Sequence, residues 1–163
     1  MNFKQAVIAL VAIWSAGVIA SVGAQPPKPA QAEKPTTAEA STAAPKSVWD
    51  GAYTEEQAKR GEKAYLENCS ECHQQELAGD GFAPALAGAD FMNAWNGLSV
   101  GDLYDRIRVS MPPGKETAVP NQAKIDIVAH ILHFNKFPAG ETELAPQLEV
   151  TKQIKFEATK PGR

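Results

Sequence analysis

The chain has 163 residues, a formal net charge of −3 and two cysteines. That length holds one ordinary domain, or a smaller one with tails. The lack of a basic surplus argues against a nucleic-acid binder, and two cysteines cannot make a disulfide-dense mini-protein.

Residues 1–24 read as an export leader. Lys4 is the only charge before the apolar run Ala6–Ala20, and Val22-Gly23-Ala24 offers small residues for cleavage before Gln25. An uncleaved membrane anchor over residues 6–24 is the alternative, because the run is close to the length that spans a bilayer. Cleavage is favoured because no basic stop-transfer cluster follows. Both readings export the rest of the chain. Residues 25–48 carry five of the twelve prolines, no aromatic residue and only Val48 as a large aliphatic side chain. Such a segment cannot offset its ordering entropy by burial, so a disordered linker is expected.

Aromatic and aliphatic residues become dense at Trp49 and remain so to about Gly140, which sets a domain over 49–140. A core this small often needs a metal, cofactor or disulfide. Three main helices are predicted. The first starts at Thr54, where Thr54-Glu55-Glu56-Gln57 has capping-box form, and runs to about Asn68. Gly61 inside it is costly unless another helix approaches closely. The second follows Ser99-Val100-Gly101-Asp102, with Val100, Leu103, Tyr104 and Ile107 at helical spacing. The third covers about Gln122 to Asn135 and is apolar on a wide arc, with Pro138 and Gly140 closing it. A shorter helix is predicted over Asp90–Trp95. No stretch before residue 140 alternates as a strand, so the class is all-α. Residues 141–163 form a C-terminal extension that either wraps the domain or docks to a partner.

Both cysteines lie in Cys69-Ser70-Glu71-Cys72-His73, the C-x-x-C-H signature of c-type haem attachment. Two thiols one helical turn apart can each add to a haem vinyl group, and His73 is then held beneath the iron. Other uses of the motif fit less well. A thioredoxin-like pair needs strand–motif–helix context, but a helix precedes Cys69. A zinc site would need His130 and His133, whose separation from Cys72 fits no finger pattern. A plain disulfide leaves His73 without a role. The implied cofactor is one covalent haem c with its iron on His73. Candidates for the sixth ligand are Met92, Met111, His130 and His133. Met111 is preferred. It shares the helical phase of Val100, Leu103, Tyr104 and Ile107, and Pro112-Pro113 stops the helix in a stiff loop. Met92, flanked by Phe91 and Trp95, reads as core. His130 and His133 read as helix-surface or packing residues.

From about Thr54 to Phe137 the chain resembles class I cytochromes c. The resemblance rests on Gly61 and Tyr65, the C-x-x-C-H motif, Ala83-Pro84-Ala85-Leu86, Leu103-x-x-x-Ile107, Ser110-Met111-Pro112 and the closing Ile127–Leu132 stretch. The spacing is most similar to small bacterial cytochromes that serve periplasmic dehydrogenases, often quinoproteins. It implies a cytochrome c fold in which the first and last helices cross at Gly61, against the third main helix near Val128–Leu132. It also implies that the Pro84 carbonyl accepts a hydrogen bond from His73. Trp95 then either packs at the haem edge, with its N–H on a propionate, or is a plain core residue. His130 departs from the family, which commonly has an aromatic residue there.

The expected function is one-electron transfer between a periplasmic dehydrogenase and a downstream acceptor such as an oxidase, with no catalytic residue set. The acidic balance favours a docking partner with basic residues. A haem c subunit of a stable dehydrogenase complex shares the chemistry. A haem peroxidase or gas-binding protein is less favoured, because no distal His–Arg pair is identifiable.

Overall fold

A computed structural model describes residues 45–162. The leader and linker residues 25–44 lie outside the described residues. A 3-10 turn over Val48–Asp50 comes first. It is followed by α1 (Glu55–Asn68), α2 (Ser70–His73), α3 (Gly88–Trp95), α4 (Val100–Ser110), α5 (Asn121–Phe134) and α6 (Leu148–Thr151). No strand occurs among the described residues, and the fold is all-α, consistent with the cytochrome c fold that the resemblance implies. None of the described helices is long and apolar enough to cross a membrane.

Local sequence accounts for the helix starts. Ser99 caps α4 with a full capping box, its hydroxyl accepting from the Asp102 N–H while the Asp102 carboxylate accepts from the Ser99 N–H. At α1 only half of the expected box forms. The Thr54 hydroxyl accepts from the Gln57 N–H at 3.1 Å, but the Gln57 side chain turns inward. Its amide donates to the Asp126 carboxylate and to the Leu144 carbonyl, and its oxygen accepts from the Leu144 N–H at 2.7 Å. A fully buried amide recovers more by satisfying three buried groups than by capping an exposed turn.

Helix α5 runs through the centre, with every residue from Lys124 to Leu132 buried. An apolar surface on all sides is the signature of a core helix. Helix α1 packs along it at Gly61. A Cβ at that position would sit 1.8 Å from the Asp126 carbonyl oxygen and 3.0 Å from His130 Cβ. The contact therefore falls on His130, inside the expected Val128–Leu132 stretch, and on Asp126, about half a turn before it. His130, where the resemblance implies an aromatic residue, packs between aromatic rings: its ring centroid lies 5.3 Å from Tyr65 and 6.2 Å from Phe134. His133, by contrast, is an exposed-side residue near Glu55.

The packed unit extends beyond 49–140 at both ends. Val48, placed in the linker by composition, is fully buried. Residues 154–158 lie as a strap across the domain. The Val48 N–H donates to the Lys155 carbonyl, the Lys155 N–H to Lys46, and the Phe156 N–H to Leu98. Gly97 and Val100 donate back to Phe156 and Ile154. Phe156 anchors the strap between Phe91 and Phe137, at centroid distances of 5.7 and 5.3 Å. The Trp49 indole donates to the Glu157 carbonyl at 2.9 Å.

Two outcomes follow from this packing. Gly61→Ala is expected to destabilise the fold by about 3 kcal/mol, since the clash is with backbone and the helices must separate; chemical denaturation measures it. Burial holds the His130 imidazole below the ordinary histidine value. The unfolded chain therefore takes up a proton at higher pH than the folded one, and stability falls as pH drops through the unfolded value of about 6.5. Denaturation midpoints between about pH 7.5 and pH 5.5 should show this loss. His130→Phe should flatten it.

Candidate haem site

The Cys69–His73 motif sits where α1 gives way to α2. Cys69 ends α1, with its N–H on the Tyr65 carbonyl at 2.8 Å, and its own carbonyl accepts from the N–H groups of Cys72 and His73. This one turn holds both thiols and the imidazole on a short rigid unit. Both cysteines are free; Cys69 is partly buried and Cys72 exposed. Burial pushes the Cys69 thiol up to about 11. A redox-active pair uses a lowered thiol pKa and follows a strand, so the thioredoxin-like use of this motif does not fit.

The His73 ring is buried, and its Nδ1 lies 2.8 Å from the Pro84 carbonyl oxygen. A carbonyl can only accept, so Nδ1 carries the proton and Nε2 is left with its lone pair. The loop between His73 and Pro84 is folded back to bring that carbonyl into place. The Gly79 N–H donates to the His73 carbonyl at 3.0 Å, and Asp80 accepts from the N–H groups of Phe82 and Ala83. Gly79 has φ +72°, and a Cβ there would lie 2.4 Å from the Ala83 carbonyl oxygen. Farther on, the Leu86 N–H donates to the Leu77 carbonyl, and Asn135 fastens the loop to the end of α5. The Asn135 amide donates to the Leu86 carbonyl at 2.9 Å, and its oxygen accepts from the Gly88 N–H at 3.2 Å.

Met111 ends α4. Its N–H bonds to the Ile107 carbonyl, and its backbone is extended, at φ −127° and ψ 140°, as expected before a proline. Its side chain is partly buried against the core, in the phase of buried Leu103, Tyr104 and Ile107. Met92 also packs partly buried against the core. Trp95 does the same, 6.2 Å from Phe91 between ring centroids, and its indole N–H has no protein acceptor among the described residues.

Two side chains that sequence reasoning passed over belong to this region. Asn135 was read only as the end of a helix. Lys124 was not singled out, although a lysine beside Ile125, Ile127 and Val128 is a charge on a face otherwise apolar. It is 2% exposed and donates to the carbonyls of Arg108 and Glu116, which flank the Met111 segment. Burial pulls its ammonium below the usual lysine range, with Glu116 opposing the shift.

The residues present fit a haem c. Two free thiols one turn apart adjoin a buried imidazole that keeps one nitrogen available. The buried Tyr104 hydroxyl has no hydrogen-bond partner among the described residues, and buried hydroxyls ordinarily have one. It is a donor free for a polar substituent of a bound group. Residues 56–131 match the family model described as cytochrome c oxidase, cbb3-type, subunit III. No curated protein and no solved structure matches the chain. The matched span runs from α1 to near the end of α5 and takes in the C-x-x-C-H turn and Met111. The match indicates a c-type cytochrome domain, with which class I cytochromes c are consistent, and such a domain implies covalently bound haem c with iron. A domain of this kind implies a haem c electron-transfer function.

Asn135→Ala should release the Leu86–Gly88 end of the loop and cost about 1–2 kcal/mol. Faster amide exchange at Leu86 and Gly88, with α1 unaffected, is the expected reading.

Proposed function

We propose that this protein is an exported one-electron carrier. Cys69 and Cys72 form the thioether links, and His73 and Met111 bind the iron on its two sides. It passes electrons from a periplasmic dehydrogenase, of the quinoprotein kind, to a downstream acceptor such as an oxidase. The observation that carries the reading is His73: a buried imidazole adjoining the two thiols, oriented by a backbone carbonyl so that Nε2 alone can meet a metal. Haem iron with both axial positions filled supplies a reversible Fe(III)/Fe(II) couple.

The chain's own residues serve that couple by staying still. Pro84 holds the His73 tautomer, and the extended backbone before Pro112-Pro113 limits where Met111 can go. A thioether on the second side favours the reduced state and raises the potential relative to two imidazoles. Export agrees with the leader read over residues 1–24, since c-type cytochrome domains are typically exported. Trp95, whose indole N–H has no protein acceptor among the described residues, suits a place at the haem edge. A second reading, a haem c subunit of a stable oxidoreductase complex, draws on the oxidase-subunit description of the matching family. A lone monomer in native purification would count against it; a copurifying oxidoreductase would favour it.

Protein matured in the periplasm should show a c-type spectrum that survives acid-acetone extraction. Met111→Ala should abolish the weak sulfur–iron charge-transfer band and lower the potential. Loss of the haem on extraction would sink the thioether assignment, and an unchanged Met111→Ala spectrum would sink the ligand assignment.

A further inference from the structure

The loop after Met111 has few attachments. Within it, the Lys115 N–H donates to the Pro112 carbonyl, the Ala118 N–H to Lys115, and the Gly114 N–H to the Glu116 carboxylate. All of these are local. Among the described residues, one hydrogen bond joins residues 112–118 to the rest of the fold: Lys124 Nζ donates to the Glu116 carbonyl at 2.6 Å. The same ammonium donates to the Arg108 carbonyl at 2.9 Å. That second acceptor is orphaned by sequence. In a continuing helix the Arg108 carbonyl would receive the N–H of residue 112, but residue 112 is proline and has none. Lys124 thus bridges the last turn of α4 to the loop, with Met111 between the two anchor points. It makes no ion pair among the described residues, and a buried ammonium without a carboxylate is costly to keep. A neutral apolar residue would suit this face of α5 better if packing were all that was required.

We propose that Lys124 is a positioning residue for Met111: its ammonium clamps the two backbone segments flanking that methionine and so holds the thioether on the iron against competing ligands. The inference rests on the reading of Met111 as the axial ligand. Without the clamp the loop swings more often. An added ligand then binds more tightly in proportion to the fraction of time the iron is open.

The test uses the haem-loaded full-length protein, with imidazole as the competing ligand. Lys124→Met is expected to raise the apparent imidazole affinity at least about 10-fold. It should also weaken the sulfur–iron band and speed amide exchange at Lys115 and Ala118. Lys124→Arg, which keeps a charged donor, should stay within about 3-fold of the wild type. A folded Lys124→Met with wild-type imidazole affinity, sulfur–iron band and loop exchange overturns the proposal. If Lys124→Met does not fold, Lys124→Gln replaces it. If that also fails, the wild-type side chain decides by NMR: a slowly exchanging Lys124 ammonium supports the clamp, and one that exchanges freely with solvent overturns it. Met111→Ala separates the two readings. If it leaves the sulfur–iron band in place, the ligand assignment has failed and the clamp's role falls with it. If it removes the band while Lys124→Met changes nothing, only the lysine proposal falls.

Discussion

The approach of α1 to α5 at Gly61 is the constraint on which the rest of this domain depends. With no Cβ at that position, the α1 backbone comes against the Asp126 carbonyl. The Cys69–His73 turn follows directly on α1, so the crossing decides where that turn lies. Helix α5 also fastens the two other segments that pack near this turn. Lys124, one turn from the N-terminus of α5, reaches the segment around Met111. Asn135, at the opposite end, reaches the loop that supplies the Pro84 carbonyl. All three pieces are therefore referenced to one buried rod, and an error in its placement would move all of them together.

Polar groups do much of this fastening, which is unusual for so small a core. Gln57, Arg60 and Gln122 all converge on the Asp126 carboxylate beside the crossing, and Arg60 extends the network to Glu143 in the tail. Buried polar groups give little net stability but penalise every alternative arrangement in which they lose a partner. A haem c electron-transfer domain benefits from that kind of specificity, because a couple that changes charge without changing geometry transfers electrons with little reorganisation.

The C-terminal strap supplies what a short helical domain lacks. Its backbone bonds to Lys46, Val48, Gly97, Leu98 and Val100, and Phe156 fills a gap between Phe91 and Phe137. Periodicity could not reveal it. Among the described residues of the tail there is one short helical turn, and Leu144, Ile154 and Phe156 are spaced by no regular element. The same limit hid Val48, which composition assigned to the linker. Isolated apolar residues next to prolines look solvent-exposed until a distant segment is seen covering them.

The sequence by itself determined the four longer helices, their order and the chemistry of the motif. Helical periodicity and capping are local, and Cys-x-x-Cys-His places its three side chains within one turn of each other whatever surrounds it. It also determined that α4 must stop at Met111, because Pro112 and Pro113 cannot continue it. Tertiary structure decided which polar groups met. It turned the Gln57 side chain away from its capping box toward Leu144, set the Gly61 contact on Asp126 and His130, made His130 an aromatic stacking partner, and buried a lysine against two backbone carbonyls. Each of these pairs residues far apart in the chain. Their energies come from burial and from partners that exist only once α1, the α4 end and the tail have closed around α5, and no local pattern records that closure.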